Sequence, residues 1–444
     1  MLMIHKRKMI SMNNMENQSL SSMCLPVPSR ERLTELFLYY SSLPSPSGDE
    51  RLVADAIVTH LSELNLSVRE DESGTAIKGN TGNLYCLVEG LADIEDDLNG
   101  ATASGGASLD SQVPADISGP HILFCAHMDT VPPADDIVPI LENGLFRNSK
   151  PTILGADDKV AIVALLHAIE LLVDSNKNFP TFELLFTVSE ETGLSGIKQF
   201  DTAIILSPMA AVFDASGPVG GITSKAPTQK SFSVTFRGKA AHAGVEPENG
   251  RSAIQAAASS IAKMQLGRIG EETSANIGLI QGGVAGNIVP EWCELKGECR
   301  SHNQENLAQV TGDMIQALQL GAAEYGVDVD ISLTHEYTAF ALPDDSAVVR
   351  LSKAALEAIG LVSQIKIAGG GSDANLLNGC GLPTANLDAG MMLVHSSDEY
   401  VRLDDLEMLC ALILQMIYLA PGFLCASTKI ETLSTSAEPT NTLF

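Results

Sequence analysis

The feature that most constrains the fold is the stretch from His121 to Pro132, HILFCAHMDTVP. An apolar run, Ile122-Leu-Phe124, drives into His127-Met-Asp129 and stops at a Val-Pro-Pro break. A β-branched and aromatic run closed by such a break predicts a buried strand. Side chains alternate along a strand, so His127 and Asp129 face the same side at its end. An imidazole with a carboxylate close enough to orient it is what a metal site needs. Alone, the pattern is equally a strand that ends in a polar turn. The weight falls on what lies downstream.

Helical periodicity over 30–40 and 50–64 flanks the Pro-Ser-Pro-Ser-Gly loop ending at Gly48, and strand-like runs follow at 66–69 and 83–89. Residues 91–119 are acidic, rich in Gly, Ser and Ala and aperiodic, which predicts a flexible surface insertion. Beyond His127 come an apolar run at 138–146, a long Ala/Ile/Val/Leu helix at 158–173, and strands at 182–188 and 210–213. Strands alternating with helices predict an α/β fold, a mixed sheet covered by helices on both faces. From Lys225 the texture changes. Strand 232–237, helix 251–264, strands 276–280 and 288–300, helix 304–325 and strand 327–333 follow in β-α-β-β-α-β order, the pattern of a ferredoxin-like α+β sandwich. After Leu342 the first texture resumes, with a helix at 346–359, a Gly369-Gly-Gly-Ser-Asp373 loop and a last helix from Asp404. The smaller unit, 226–341, is therefore expected as an insertion in a larger domain made of 30–225 and 342–421. Residues 1–29 are expected to be a disordered leader and 422–444 a disordered tail.

At 444 residues two domains are the default expectation. Lys and Arg total 27 against 55 Asp and Glu, a net charge of −28, which repels nucleic acid and anionic membranes. The 8 cysteines form no CxxC pair, which suits reduced thiols in a cytoplasmic protein. The first 30 residues hold no apolar segment long enough for a secretory signal. Met408 to Ala426 approaches the length of a membrane span. However, Pro421-Gly422 cuts it, and Asp404, Asp405 and Glu407 read as the acidic first turn of a buried core helix.

Four more polar motifs sit where strands end or helices begin: Gly155-Ala-Asp157-Asp158-Lys159, Ser189-Glu190-Glu191-Thr192-Gly193, Phe213-Asp214-Ala-Ser-Gly217 and Val394-His395-Ser-Ser-Asp398-Glu399. Singly each is weak: a DD pair is commonly a helix cap, and an EE pair a solvated face. Ligands bind at the carboxyl ends of strands in open α/β sheets, so together the motifs predict imidazoles and carboxylates on one rim.

In the order HMDTVP, GADDK, SEETG, FDASG and VHSSDE, the chain over roughly 30–420 resembles the M20 metallopeptidases, relatives of peptidase T and carboxypeptidase G2. The resemblance implies a zinc exopeptidase-like catalytic domain with an inserted lid. It implies that His127 and Asp214 hold one metal, Glu191 and His395 the other, that Asp157 bridges them, that Asp129 orients His127, and that Glu190 is the general base. The implied cofactor is a pair of Zn2+ ions, with Co2+ or Mn2+ also suited to such donors. Two adjacent glutamates suit a strand exit, where consecutive side chains diverge. In the lid, Lys239-Ala-Ala-His242-Ala-Gly244 matches a histidine that in the family stabilises the oxyanion in a partner subunit. Asn287, in Gly282-Gly-Val-Ala-Gly-Asn287, and Arg300 resemble residues that hold the substrate backbone and terminal carboxylate. A guanidinium suits that carboxylate through two parallel hydrogen bonds. The glycine loop at 369–373 lacks the spacing and lysine of a phosphate loop and is expected to let the chain approach a substrate carboxylate.

The expected activity is hydrolysis of short peptides, of the tripeptide aminopeptidase kind. The expected state is a homodimer through the lid. The alternative is an amidohydrolase that removes acyl groups from N-acyl amino acids. Asp at 214 favours the peptidases, because the N-acyl hydrolases resembling this family usually carry Glu there. A non-catalytic relative would have lost Glu190 or a ligand, and all are present.

Overall fold

The computed structural model describes residues 25–90 and 119–423. Most of the expected leader, insertion and tail therefore lies outside the described residues. The described residues begin with α1 (Arg30–Ser42), whose first turn is capped by the Ser29 hydroxyl, and α2 (Arg51–Glu63). Strand β1 (Val68–Glu70), the short α3 (Ser73–Ile77), β2 (Leu84–Val88) and β3 (Leu123–His127) follow. A hairpin of β4 (Pro139–Glu142) and β5 (Leu145–Asn148) leads to α4 (Ala156–Asp174). Then come β6 (Phe182–Thr187), β7 (Ala210–Ala215) and β8 (Gly221–Ala226).

The inserted unit comprises β9 (Thr228–Arg237), α5 (Ala253–Lys263), β10 (Gly267–Arg268), β11 (Thr273–Gly282), β12 (Trp292–Ser301), α6 (Gln304–Tyr325) and β13 (Asp328–Tyr337). The chain returns through β14 (Phe340–Ala341), α7 (Ala347–Ala358), β15 (Gln364–Ile367), α8 (Asp373–Gly379) and β16 (Thr384–Asp388). It closes with β17 (Met391–Met392), β18 (Tyr400–Arg402) and α9 (Leu403–Leu419).

Among the described residues the main sheet has 9 strands in the order β1-β2-β6-β3-β7-β16-β8-β14, with β15 alongside β8. Strand β3 runs parallel to both β6 and β7. Every residue of β3 and β6 is buried, as expected of central strands covered on both faces. The parallel run β6-β3-β7 puts the residues that follow all three strands on one rim. That is why His127, the Ser189–Glu191 turn and Asp214 meet.

In the inserted unit, β11-β12-β9-β13 form an antiparallel sheet backed by α5 and α6, the ferredoxin-like order expected from the pattern. Its core of Phe232, Val234, Phe236, Leu295, Leu307, Met314 and Leu318 is separate from the main one. Helix α9 belongs to Leu403–Phe423, the one stretch among the described residues that is long and apolar enough to cross a membrane. Leu406, Leu409, Leu412, Ile413 and Ile417 are buried in the main core, and Arg30 of α1 pairs with Asp404 and Glu407 near its start.

Three details depart from the sequence reading. The apolar run at 138–146 is a hairpin, because Asn143 and Gly144 both take positive φ, the turn that an Asn-Gly pair favours. Strands β8, β15 and β16 had no forecast, since β15 is only four residues long and β16 carries Asn386 and Asp388 in a short apolar context. Helix α4 has non-helical φ/ψ at Asp157 and Asp158, so its regular part begins only at Lys159.

Candidate metal centre

Five segments bring the polar residues together at the carboxyl ends of β3, β6 and β7: the ends of β3 and β7, the turn after β6, the start of α4 and the segment before β18. His127 closes β3 and is buried, and its Nε2 lies 3.0 Å from Asp157 Oδ1 and 3.7 Å from Asp214 Oδ1. The second oxygen of Asp157, Oδ2, lies 3.3 Å from His395 Nε2, which is also 3.0 Å from Glu191 Oε1. One carboxylate thus faces two imidazoles, and each imidazole has a further carboxylate of its own. Three overlapping groups have ligand atoms within 4.8 Å of one another: His127/Asp157/Asp214, Asp157/Glu191/His395 and His127/Glu190/Glu191. Glu191 belongs with both imidazoles, whereas Glu190 shares a group only with His127 and Glu191.

Asp129 does more than stand beside His127. The His127 Nδ1 lies 2.9 Å from the Asp129 backbone oxygen and 3.4 Å from its Oδ1. The Asp129 carboxylate accepts the N–H groups of Glu190 and Glu191 at 2.9 and 3.2 Å, and the Ser47 hydroxyl at 2.6 Å. It therefore ties the imidazole to the backbone that carries both glutamates. Ser189 holds a positive φ of 51, and buried Glu50 accepts both its N–H and its hydroxyl at 3.0 Å. A left-handed, non-glycine residue is strained, and such strain persists only where the surroundings over-determine it.

Asp214 is held from a different side. Its N–H donates to Asn386 Oδ1 at 2.9 Å, and Asn386 Nδ2 donates to the Ser372 hydroxyl at 3.1 Å. Ser372 caps α8 in a box with Asn375. Asn375 Nδ2 donates in turn to the carbonyls of Pro227 and Thr338, where the chain enters and leaves the inserted unit.

The electrostatics are those of a site made for cations. Burial alone would lower the His127 pKa, but hydrogen bonds to Asp129, Asp157 and Asp214 hold it well above its usual value. Asp157 and Glu191 raise His395 to about 10. Burial and the neighbouring Asp157 push Asp214 up to about 7, and burial with Asp214 pushes Glu190 well above the carboxylate range. Without metal the crowded carboxylates draw protons onto both imidazoles, a positive charge that cations would replace, and borderline divalent metals suit this donor set. The residues present fit a pair of such ions.

The expected lid residues are not drawn into this cluster. His242 lies on an exposed turn, where its Nδ1 accepts the Gly244 N–H at 3.2 Å. Asn287 lies against the same turn, its carbonyl accepting the Ala243 N–H at 2.9 Å. Arg300 is bound by both oxygens of Glu298, at 2.9 Å each, and feels the Glu190 carboxylate. The glycine loop at 369–373 lies against the lid. A Cβ on Gly371 would meet the Tyr337 ring at 2.2 Å, and one on Gly370 would sit 3.0 Å from Arg300 Nη1. Sequence reasoning missed Tyr337, Asn375, Asn386 and Ser47, none of which lies in a recognisable motif. It quoted Glu399 within VHSSDE without giving it a role.

Residues 228–326 match the family model described as the peptidase dimerisation domain of M20. The uncharacterised protein YqjE of Bacillus subtilis is 35% identical over 86% of this chain and 98% of its own length. Among solved structures, the aminopeptidase PepT of Bacillus cereus is 34% identical over 88% of this chain and 99% of its own, with a TM-score of 0.72. A tripeptidase of Staphylococcus aureus is 30% identical over 89% of this chain and 100% of its own, with a TM-score of 0.77. The chain belongs to the M20 peptidase family, in its peptidase T-like branch, and is a metal-dependent peptidase.

Proposed function

We propose that this chain is a dinuclear exopeptidase that hydrolyses short peptides in the cytoplasm, with a preference for tripeptides bearing a free amino terminus. The observation that carries this reading is the division of Asp157 between His127 and His395, at 3.0 and 3.3 Å. In this reading His127 and Asp214 hold one ion, Glu191 and His395 the other, and Asp157 serves both. The preferred metal is Zn2+, with Co2+ or Mn2+ as substitutes. Ions held by these residues would supply Lewis acidity for the scissile carbonyl and the attacking water near neutral pH. Glu190 takes the proton from the attacking water and returns it to the leaving amine. Asp129 keeps the His127 ring turned towards the ligand side.

The catalytic unit comprises 30–225 and 342–421, and the lid 226–341. The lid brings substrate-holding groups from above: Arg300 for the terminal carboxylate and Asn287 for the peptide backbone. Two chains pair through their lids, and His242 serves the partner's site. The peptidase T-like relatives support the peptide substrate, and the dimerisation-domain match supports the pairing.

Metal analysis of purified protein, with rates for free-amino tripeptides, blocked peptides and N-acetyl amino acids, tests this reading. About two divalent ions per chain and fastest turnover of free-amino tripeptides are expected. Preference for the acetylated compounds would overturn the substrate assignment.

A further inference from the structure

A carboxylate outside the proposed ligand set is bound to the same centre. Glu399 follows His395 in the segment before β18 and is only 2% exposed. Its Oε2 accepts the N–H groups of Leu154 and Gly155, each at 2.8 Å, and its Oε1 accepts the Asp157 N–H at 3.1 Å. A buried carboxylate is costly unless several donors satisfy it. Here three backbone donors converge on one side chain, and the field of Glu399 also acts on the buried ammonium of Lys159.

The donors come from a segment that no regular element organises. Gly155 is left-handed at φ 71, and Asp157 has φ −80 and ψ 102, outside the helical range. The N–H groups of 154, 155 and 157 thus precede the regular part of α4 and have no helical carbonyl to bind. Glu399 takes the place of those carbonyls. Glu399 therefore holds the backbone from which the Asp157 side chain projects. Because Glu399 and His395 share one segment, the same piece of chain places the His395 ring and the backbone of the residue it meets.

We propose that Glu399 is the positioning residue that holds the Asp157 carboxylate between the two imidazoles before any cation arrives. This inference rests on the dinuclear reading of the site. Glu399 does not touch substrate. It presents the shared ligand already aimed, so that cation binding need not also order the 154–157 segment.

Glu399→Gln keeps the shape but turns one acceptor into a donor that faces an N–H. Co2+ titration followed by visible absorption reads the outcome. The unsubstituted chain is expected to take up about two ions, and the variant to bind at least about tenfold more weakly, the usual effect of losing a partner of a ligand. Its turnover should recover towards the parent value as Co2+ is raised, whereas that of Glu190→Gln should not. A folded Glu399→Gln chain with an unchanged titration overturns the inference. An unsubstituted chain that takes up no Co2+ overturns the dinuclear reading instead. If the variant does not fold, amide exchange in the metal-free parent decides. Slow exchange at 154, 155 and 157 supports the proposal, and exchange that becomes slow only after metal is added refutes it.

Discussion

The His127 imidazole and the Asp157 carboxylate meet at 3.0 Å across a chain separation of 30 residues. The β4–β5 hairpin lies within that interval. Their meeting depends on β3 ending at the same level as the N-terminal end of α4, which packs on the sheet behind it.

Glu190 groups with His127 and Glu191 but not with His395, as a proton carrier beside the ligands would. Glu190→Gln is expected to retain bound metal and lose about 10²–10⁴-fold in kcat, the usual worth of a positioned acid–base group. Steady-state rates alongside metal analysis check this. A variant with near-parental kcat refutes the assignment.

Removing divalent cations leaves the carboxylates of Asp157, Glu190, Glu191 and Asp214 facing one another. Chelation is expected to abolish turnover and to lower the unfolding free energy. At a metal concentration about a hundred times its Kd, the difference is roughly 2.7 kcal/mol per ion. Thermal scans with and without chelator, followed by readdition of Zn2+, Co2+ or Mn2+, measure both effects. Full activity after exhaustive chelation would refute the metal-dependent mechanism.

Glu170 ties three helices together on the far side of the domain. It meets His60 of α2 at 3.0 Å, His167 of α4 at 2.8 Å and Arg32 of α1 at 2.6 Å. Burial alone would raise its pKa, but hydrogen bonds from His167, His60 and Arg32 outweigh that and hold it below its ordinary 4.5. A depressed carboxyl pKa contributes stability above the unfolded value, and that contribution is lost as pH falls through the folded one. Glu170→Gln is therefore expected to cost roughly 1–3 kcal/mol at neutral pH. The gap should narrow as pH drops below 4.5. Urea unfolding across that range is the measurement, and a gap independent of pH would contradict the prediction.

If His242 serves the partner's site, two inactive variants should rescue each other. Mixing His242→Ala chains with Glu190→Gln chains and allowing exchange leaves one complete site in each hybrid dimer. About a quarter of parental activity is expected from random pairing in a closed twofold dimer. No recovery, in a mixture shown by sedimentation to hold hybrid dimers, would end the proposal.

Asn375 donates to Pro227 and Thr338 and accepts from Ser372, so Asn375→Leu would strand three backbone groups, two of them in buried hydrogen bonds. A loss of about 2 kcal/mol or more in urea unfolding is expected. An unchanged midpoint would show that the side chain is dispensable there.

Much of this centre was legible in the sequence because each of its parts carries a local signature. His127, Glu191 and Asp214 follow apolar runs that could only be strands, and Asp157 opens a long apolar helix. What escaped notice was the support. Glu399 acts on backbone N–H groups 242 to 245 residues away, and a backbone donor leaves no trace in the identity of its residue. Asn375 and Asn386 act in the same way, through carbonyls and an amide. The hairpin at 139–148 was legible in principle, since Asn143-Gly144 announces it, but the surrounding apolar residues concealed the break.

Phe340 pairs with Ala226 as an antiparallel neighbour, so the polypeptide leaves the main sheet and rejoins it at adjacent positions. The host domain is thus already sealed where the guest begins. A short turn could join the two ends without disturbing a single strand of the host. The guest could therefore change in length or outer surface without altering the strands that carry the metal centre.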